Sequence, residues 1–388
     1  MIGILTLYKN NKNYGGLLQA YALQSIISGF GLDSEQISYE LSPSPFMHRL
    51  EKSAEQRSLG QNLKKSVQAI YKRGLDFLLG RWSRSLCRGR NTNFAEFEAE
   101  IPHSRAIYNL DSIMGCRAYD VYITGSDQVW NGSINLEAYS LHFVKGMAKC
   151  ISYAASYGGG KFTRWQRKIL QESLAQYKAI SVREKSLAQE LNAFIPQDIS
   201  VVLDPVMLVT PDAWEHEMRS LSLTRPFVFC YLLGDSKWHR KFARNIAKIN
   251  HCQLITIPYA VNGAFRFSDL HFGDIQDVSS GPREFLWLIR HAQCVITDSF
   301  HATAFSILFN TDFWALPRYK ETEKNRRVSD LLQEFDLEDR LVPWNLPVVK
   351  SLDSIDFTRA NSILYKRTQE SLKFLKTALG INDENKPT

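Results

Sequence analysis

No run in the chain approaches the roughly 20 apolar residues that a membrane-spanning helix needs. The first residues, Met1-Ile2-Gly3-Ile4-Leu5-Thr6-Leu7, pass straight into fold-like sequence without a charged-then-apolar leader. A cytoplasmic protein is therefore expected. Cysteine chemistry is missing too. Six cysteines (Cys87, Cys116, Cys150, Cys230, Cys252, Cys294) form no Cys-x-x-Cys pair and have no histidine at zinc spacing, which argues against a disulfide framework or a structural zinc site. Cys150, Cys230 and Cys294 lie inside apolar runs, where a thiol behaves as a small hydrophobe. No Gly-x-Gly-x-x-Gly follows the first strand, so the dinucleotide fingerprint is absent. Neither a metal nor an organic cofactor is expected.

Acidic residues are scarce in one place. Between Arg49 and Arg90 eleven Lys/Arg face three acids, an excess larger than the net +7 of the whole chain. Leu63, Val67, Ile70, Tyr71, Leu75, Leu78, Leu79 and Trp82 run through these cations as an apolar stripe. Segment 48–90 thus has two readings of equal weight. One is a basic amphipathic helix on an anionic membrane, which would make the protein peripheral at the inner face. The other is a helical excursion packed on its own domain. Nucleic acid is not expected, because no binding motif accompanies the charge.

At 388 residues the chain is long for one core, and 44% hydrophobic with 22% charged residues marks it as globular. Strand patterns fall at Ile2–Leu7, Tyr119–Thr124, Ile151–Ala155, Ala179–Arg183 and Ser200–Leu203. Helical periodicity separates them at Leu17–Ile27, Phe162–Tyr177 and Glu184–Phe194. After Asp204-Pro205 a second series begins: strands Phe227–Leu232, Leu254–Ile257, Cys294–Thr297 and Thr311–Leu316, with helices Lys237–Ile249, Pro282–Arg290 and Ala302–Phe309. Alternation of this kind gives α/β architecture with parallel sheets, here as two Rossmann-like domains facing a cleft. The expected division is 1–205, carrying the basic insert 48–90; then 206–350; then 351–388. The helical pattern Phe357–Leu379 is expected to fold back across the first domain.

The most informative stretch is Cys294-Val-Ile-Thr-Asp-Ser-Phe-His-Ala-Thr-Ala-Phe-Ser-Ile-Leu-Phe-Asn310. A buried strand stops, a polar corner follows, and a helix starts. Crevices at the carboxyl ends of parallel strands are where open α/β sheets bind ligands, and a helix start offers unpaired N–H groups to an anion. His301 at such a corner reads as a proton-transfer residue or, more simply, as a packing histidine. Gly15-Gly16 reads as a tight turn into the first helix or as a backbone approach to a ligand.

The block Gly281-Pro-Arg-Glu-Phe-Leu-Trp-Leu-Ile-Arg-His-Ala292, with Val295 to Asn310, resembles the C-terminal signature of the polysaccharide pyruvyl transferase family. Asn13-Tyr14-Gly15-Gly16-Leu17-Leu18-Gln19-Ala20-Tyr21-Ala22-Leu23 resembles its N-terminal loop and helix. Gly125-Ser126-Asp127-Gln128-Val129-Trp130-Asn131 resembles its central loop, and Ser181-Val182-Arg183-Glu184 with Leu203-Asp204-Pro205-Val206 its arginine and interdomain strands. The resemblance implies a fold like GT-B glycosyltransferases, with the first domain on the acceptor side and the second on the donor side. It further implies transfer of a pyruvyl group from phosphoenolpyruvate to two hydroxyls of a sugar in a polysaccharide or lipid-linked oligosaccharide, giving a cyclic ketal.

On that reading His301 is the general acid, and Arg183 binds the donor through a fork of N–H groups, unless it only pairs with Glu184 or another acid. Asp127 accepts a proton from the sugar, or it is a structural turn residue. Asn13, Gly15, Gly16, Gln128, Trp130 and Asn131 join the substrate site. Asp298 orients or caps. Many family members carry a basic residue two positions before the histidine, where this chain has Ser299. The missing charge is then expected from Arg326 or Arg327, with Arg326 taken as the donor-binding residue beside Ser299. Two rival readings stay open: a GT-B glycosyltransferase using a nucleotide sugar, and a non-catalytic module of a polysaccharide assembly complex.

Overall fold

A computed structural model describes residues 1–41, 87–131, 135–159, 161–261, 264–269, 271–320, 322–346 and 354–381. Most of the basic segment 48–90, with both readings of it, lies outside the described residues. Only residues 87–90 of it are described, and there Arg90 is buried. Its guanidinium donates to the carbonyls of Pro258 (2.9 Å) and Asp277 (2.8 Å). That cation bolts the insert's exit to the second half of the chain and faces no membrane.

The first half forms a seven-stranded parallel sheet: β1 Ile2–Leu5, β2 Ser34–Tyr39, β3 His103–Tyr108, β4 Val121–Thr124, β5 Lys149–Ser152, β6 Tyr177–Val182 and β7 Ile199–Val201, in the order β3-β2-β1-β4-β5-β6-β7. The second half contributes β8 Phe227–Tyr231 and β9 Gln253–Thr256, a small antiparallel hairpin (β10 Ala260–Val261, β11 Ala264–Phe265), then β12 Ile275–Gln276, β13 Cys294–Thr297 and β14 Phe313–Ala315. Its parallel sheet runs β12-β9-β8-β13-β14. The two Rossmann-like units read from the sequence are both present. β8 and β13 are buried along their whole length, as strands covered on both faces must be, and their apolar runs announced them. β2 and β3 were not expected. Their sequences, Ser-Glu-Gln-Ile-Ser-Tyr and His-Ser-Arg-Ala-Ile-Tyr, are too polar for that signal.

Strand order places the site. In the first sheet the order reverses at β1 and β4, in the second at β8 and β13. Ligand crevices open at such switch points, beyond the carboxyl ends of the strands. Helices α1 (Tyr14–Gly29), α2 (Arg88–Glu100), α3 (Leu110–Ile113), α4 (Leu136–Tyr139), α5 (Arg164–Leu174), α6 (Lys185–Asn192), α7 (Pro211–Glu217), α8 (Lys237–Ile249), α9 (Pro282–His291), α10 (Phe300–Leu308), α11 (Arg326–Glu334) and α12 (Thr358–Leu379) complete the fold. Among the described residues no helix is long and apolar enough to cross a membrane.

One hydrophobic cluster runs through both halves. Tyr14 of α1 stacks on Phe285 of α9 with ring centroids 4.4 Å apart, and its hydroxyl donates to the Ser280 carbonyl at 2.8 Å. The C-terminal helix folds back as expected. Near its start Arg359 pairs with Asp336 of the second half. Further along, Arg367 donates to the Val201 carbonyl (2.8 Å), and Ser371 Oγ accepts from the Leu203 N–H (3.0 Å).

Tyr14 tests the seam between the halves. Tyr14→Phe keeps the stacked ring and should cost about 1 kcal/mol of stability. Tyr14→Ala empties the aromatic pocket and should cost about 3–5 kcal/mol. Urea unfolding midpoints measure both.

Candidate active site

After β7 the chain turns at Asp204, which caps a short 3-10 turn (Pro205–Met207) by accepting the Val206 N–H on Oδ1 at 3.1 Å. Its other oxygen, Oδ2, receives Arg183 Nη1 at 2.5 Å and Ser126 Oγ at 2.8 Å. His301 Nε2 stands 3.6 Å from the same Oδ2. The Asp204 side chain is 0% exposed. Burial presses its carboxyl towards the neutral form, but His301 and Arg183 outweigh that and hold it well below the usual carboxylate range.

Arg183 follows β6 directly. Its Nε donates to Glu184 Oε1 at 3.1 Å, and its guanidinium lies 3.9 Å over the Phe300 ring. Ser156 Oγ donates to the same Glu184 oxygen at 2.7 Å. Burial raises the Glu184 carboxyl against the pull of Arg183. The ion pairing considered for Arg183 is present: two guanidinium nitrogens are committed to acids, and Nη2 is buried without a partner.

His301 opens α10, with Ser299 as its cap. The Ser299 hydroxyl accepts from the Ala302 N–H at 3.5 Å. Behind it, Asp298 accepts the N–H groups of Leu233 (2.6 Å) and Gly234 (2.7 Å), tying the ends of β8 and β13 together. The imidazole rests on the start of α1. A Cβ added at Gly15 would stand 1.9 Å from His301 Nδ1, so glycine is required there. A Cβ at Gly16 would meet Asn11 Nδ2 at 2.7 Å and the Leu7 carbonyl at 2.8 Å. Both glycines thus serve close packing, one of them against the histidine. Asn13 caps α1, its side chain accepting the Gly15 N–H at 3.0 Å.

Further cations close the side of the site formed by the second sheet. Arg327 is half-buried, with Nη1 and Nη2 at 2.8 and 3.0 Å from the Gln128 amide, whose oxygen accepts from them in the orientation that hydrogen bonding favours. Burial, then the neighbouring Arg318 and Arg183, push the Arg327 guanidinium down to about 10. Arg318 Nη2 donates to the Asp298 carbonyl at 2.8 Å. Arg326 points elsewhere: 41% exposed, it faces Glu323 at 3.6 Å. Of the two arginines weighed from the sequence, it is Arg327 that enters the site. Arg318, unmarked in the sequence except by its place just after β14, enters beside it. Four nitrogens here are buried without a partner: Arg183 Nη2, Arg318 Nε, Arg327 Nε and His301 Nε2.

On the first sheet's side, Asp127 adopts φ +72°, rare for a residue with a side chain. Its carbonyl, not its carboxylate, makes the local bonds, accepting from Val129 N (2.7 Å) and Ser156 N (3.0 Å). The side chain lines a cleft of about 280 Å³ together with Asn10, Asn11, Asn13, Gln128 and Asn131, beside Lys12 and Tyr8. Trp130 departs from expectation. It is 0% exposed in the hydrophobic core and offers no ring face to a sugar. The apolar strand ends around it claim the indole. Among the described residues no group of three or more His, Cys, Asp or Glu side chains gathers as metal ligands.

Comparison with solved structures gives the same two-domain architecture. A Staphylococcus aureus MnaA structure determined with UDP matches with TM-score 0.50 at 9% identity, covering 100% of this chain and 98% of that one. A UDP-GlcNAc 2-epimerase from Methanocaldococcus jannaschii matches with TM-score 0.50 at 11% identity, covering 96% and 92%. At such identities only the fold is shared. A search of curated proteins finds no significant match. The family model for polysaccharide pyruvyl transferases matches residues 13–318, which contain Asp127, Arg183, Asp204, His301 and Arg318, while Arg327 lies just beyond. The chain belongs to the polysaccharide pyruvyl transferase family.

Proposed function

We propose that this transferase moves a pyruvyl group from phosphoenolpyruvate onto two hydroxyls of one sugar residue, forming a cyclic ketal and releasing phosphate. The observation that carries the reading is the set of buried, unpartnered nitrogens on three arginines, Arg183, Arg318 and Arg327, gathered near His301. Buried donors without acceptors are rare in a finished protein, and a ligand bearing a phosphate and a carboxylate supplies acceptors for them. The depressed Arg327 guanidinium argues the same way, because burial first, and then the neighbouring Arg318 and Arg183, disfavour its charge until an anion arrives.

The reaction releases two hydroxyl protons. One is taken up by the donor's methylene carbon, which becomes the methyl group. The other leaves on phosphate. His301 is the general acid on the donor side. Asp127, at the cleft, takes the acceptor proton bound for the methylene carbon, while Gln128 and Asn131 hold the acceptor's hydroxyls. Arg318 and Arg327 grip the donor, with one N–H added by Arg183. Ser299 shapes the helix start that faces it.

Phosphoenolpyruvate should raise the unfolding temperature, since a ligand at 100 times its dissociation constant adds about 2.7 kcal/mol. Arg327→Gln should remove most of that shift. UDP-GlcNAc should produce little. A shift with UDP-GlcNAc and none with phosphoenolpyruvate would hand the site to a nucleotide-sugar glycosyltransferase. His301→Ala should lower turnover by roughly 10²–10⁴-fold while leaving the circular dichroism spectrum unchanged. Full activity in that variant would remove His301 from the chemistry.

A further inference from the structure

The two nitrogens of His301 have different surroundings. Nε2 is buried and has no hydrogen-bond partner, and the carboxylate oxygen Asp204 Oδ2 stands 3.6 Å away. Nδ1 abuts the start of α1 at Gly15 and is not among the buried unpartnered atoms. A neutral imidazole has one donor and one acceptor nitrogen, and the partner of one decides the role of the other. Catalytic hydrogen bonds are often long before substrate arrives and tighten when it binds.

We infer that Asp204 is the positioning residue for His301: it accepts the Nε2–H, fixes that tautomer, and leaves Nδ1 as the nitrogen that exchanges a proton with the donor. The inference rests on the proposed acid role of His301 and adds the residue that sets its orientation. Asp204 is suited to this by its own anchoring. Val206 N–H holds Oδ1, while Arg183 and Ser126 hold Oδ2, so the carboxylate cannot swing away from the ring. In turnover Nδ1, which carries a lone pair in this tautomer, takes up one acceptor hydroxyl proton. The imidazolium so formed passes it to the departing phosphate as the C–O bond of the donor breaks, which restores the neutral ring. The Nε2 proton stays in place throughout, shared with Asp204.

Long-range ¹⁵N–¹H correlation on histidine-labelled protein reads the tautomer directly. His301 is assigned by its loss in His301→Gln, and spectra are recorded above the ordinary imidazole titration range. The wild-type signal should show the Nε2–H pattern. In Asp204→Asn that preference should vanish, and phosphate release from phosphoenolpyruvate with p-nitrophenyl hexosides as acceptors should fall about 10²–10⁴-fold. Ser126→Ala loosens the carboxylate but keeps its charge, so the tautomer should survive. A wild-type Nδ1–H pattern overturns the inference even if Asp204→Asn fails to fold. So does an unchanged pattern in Asp204→Asn, or equal loss of the preference in both variants. An active His301→Ala would instead sink the acid role itself, which separates the two failures.

Discussion

A carboxylate with no exposed surface holds this molecule's two halves in register. Taking such a charge out of water costs several kcal/mol unless partners replace the solvent. Asp204 has side-chain groups from three places around it: Arg183 at the end of β6 and Ser126 in the loop after β4 donate to it, and His301 at the start of α10 stands 3.6 Å away. The first two belong to the first sheet and the third to the second. No rearrangement that separates the sheets can leave all of them satisfied. The same atoms that stabilise the junction are those the proposed chemistry uses, so on that reading the site is assembled by the closure of the fold.

Topology explains why the groups meet. Each sheet has its order reversal opposite the other's, so the loops that leave β1 and β4 confront those that leave β8 and β13. Asp127 and the amide-lined cleft come from the first pair, His301 and Asp298 from the second. The cation-rich side lies over the second sheet, supplied by Arg318 just after β14 and Arg327 at the start of α11. Gln128 joins the two sides by its contact with Arg327. Polar cleft and cationic pocket thus share a wall, an arrangement the proposed transfer from an anionic donor to a sugar needs.

The strands most legible in the sequence were those buried on both faces. β13 and α8 appear with the boundaries that pattern alone suggested. Strands with polar residues at half their positions, such as β2 and β3, gave no continuous run to read. At the site, His301 and Ser299 stood out because strand end, polar corner and helix start are adjacent in sequence. Asp204 was visible only in the Asp-Pro break and the interdomain-strand block, since the side chains that surround it lie 21 residues or more away along the chain. The choice between Arg326 and Arg327 could not be settled by pattern. One residue on a helix turns a side chain through about 100°, and that turn separates an exposed pair with Glu323 from the inner site. Trp130 misled for a related reason. An indole beside two amides resembles sugar-binding equipment, but burial decides its use, and burial here depends on distant strands.

If, as proposed, the buried cation cluster and histidine hold an enol phosphate whose three-carbon unit goes to a sugar, ³¹P and ¹H NMR of phosphoenolpyruvate incubated with the protein and a set of hexosides in deuterium oxide will show it. Inorganic phosphate should appear only when an acceptor is present, with a new ketal methyl group carrying one solvent deuterium. Phosphate release without acceptor, or an acceptor modified only when UDP-GlcNAc replaces phosphoenolpyruvate, would contradict the proposal.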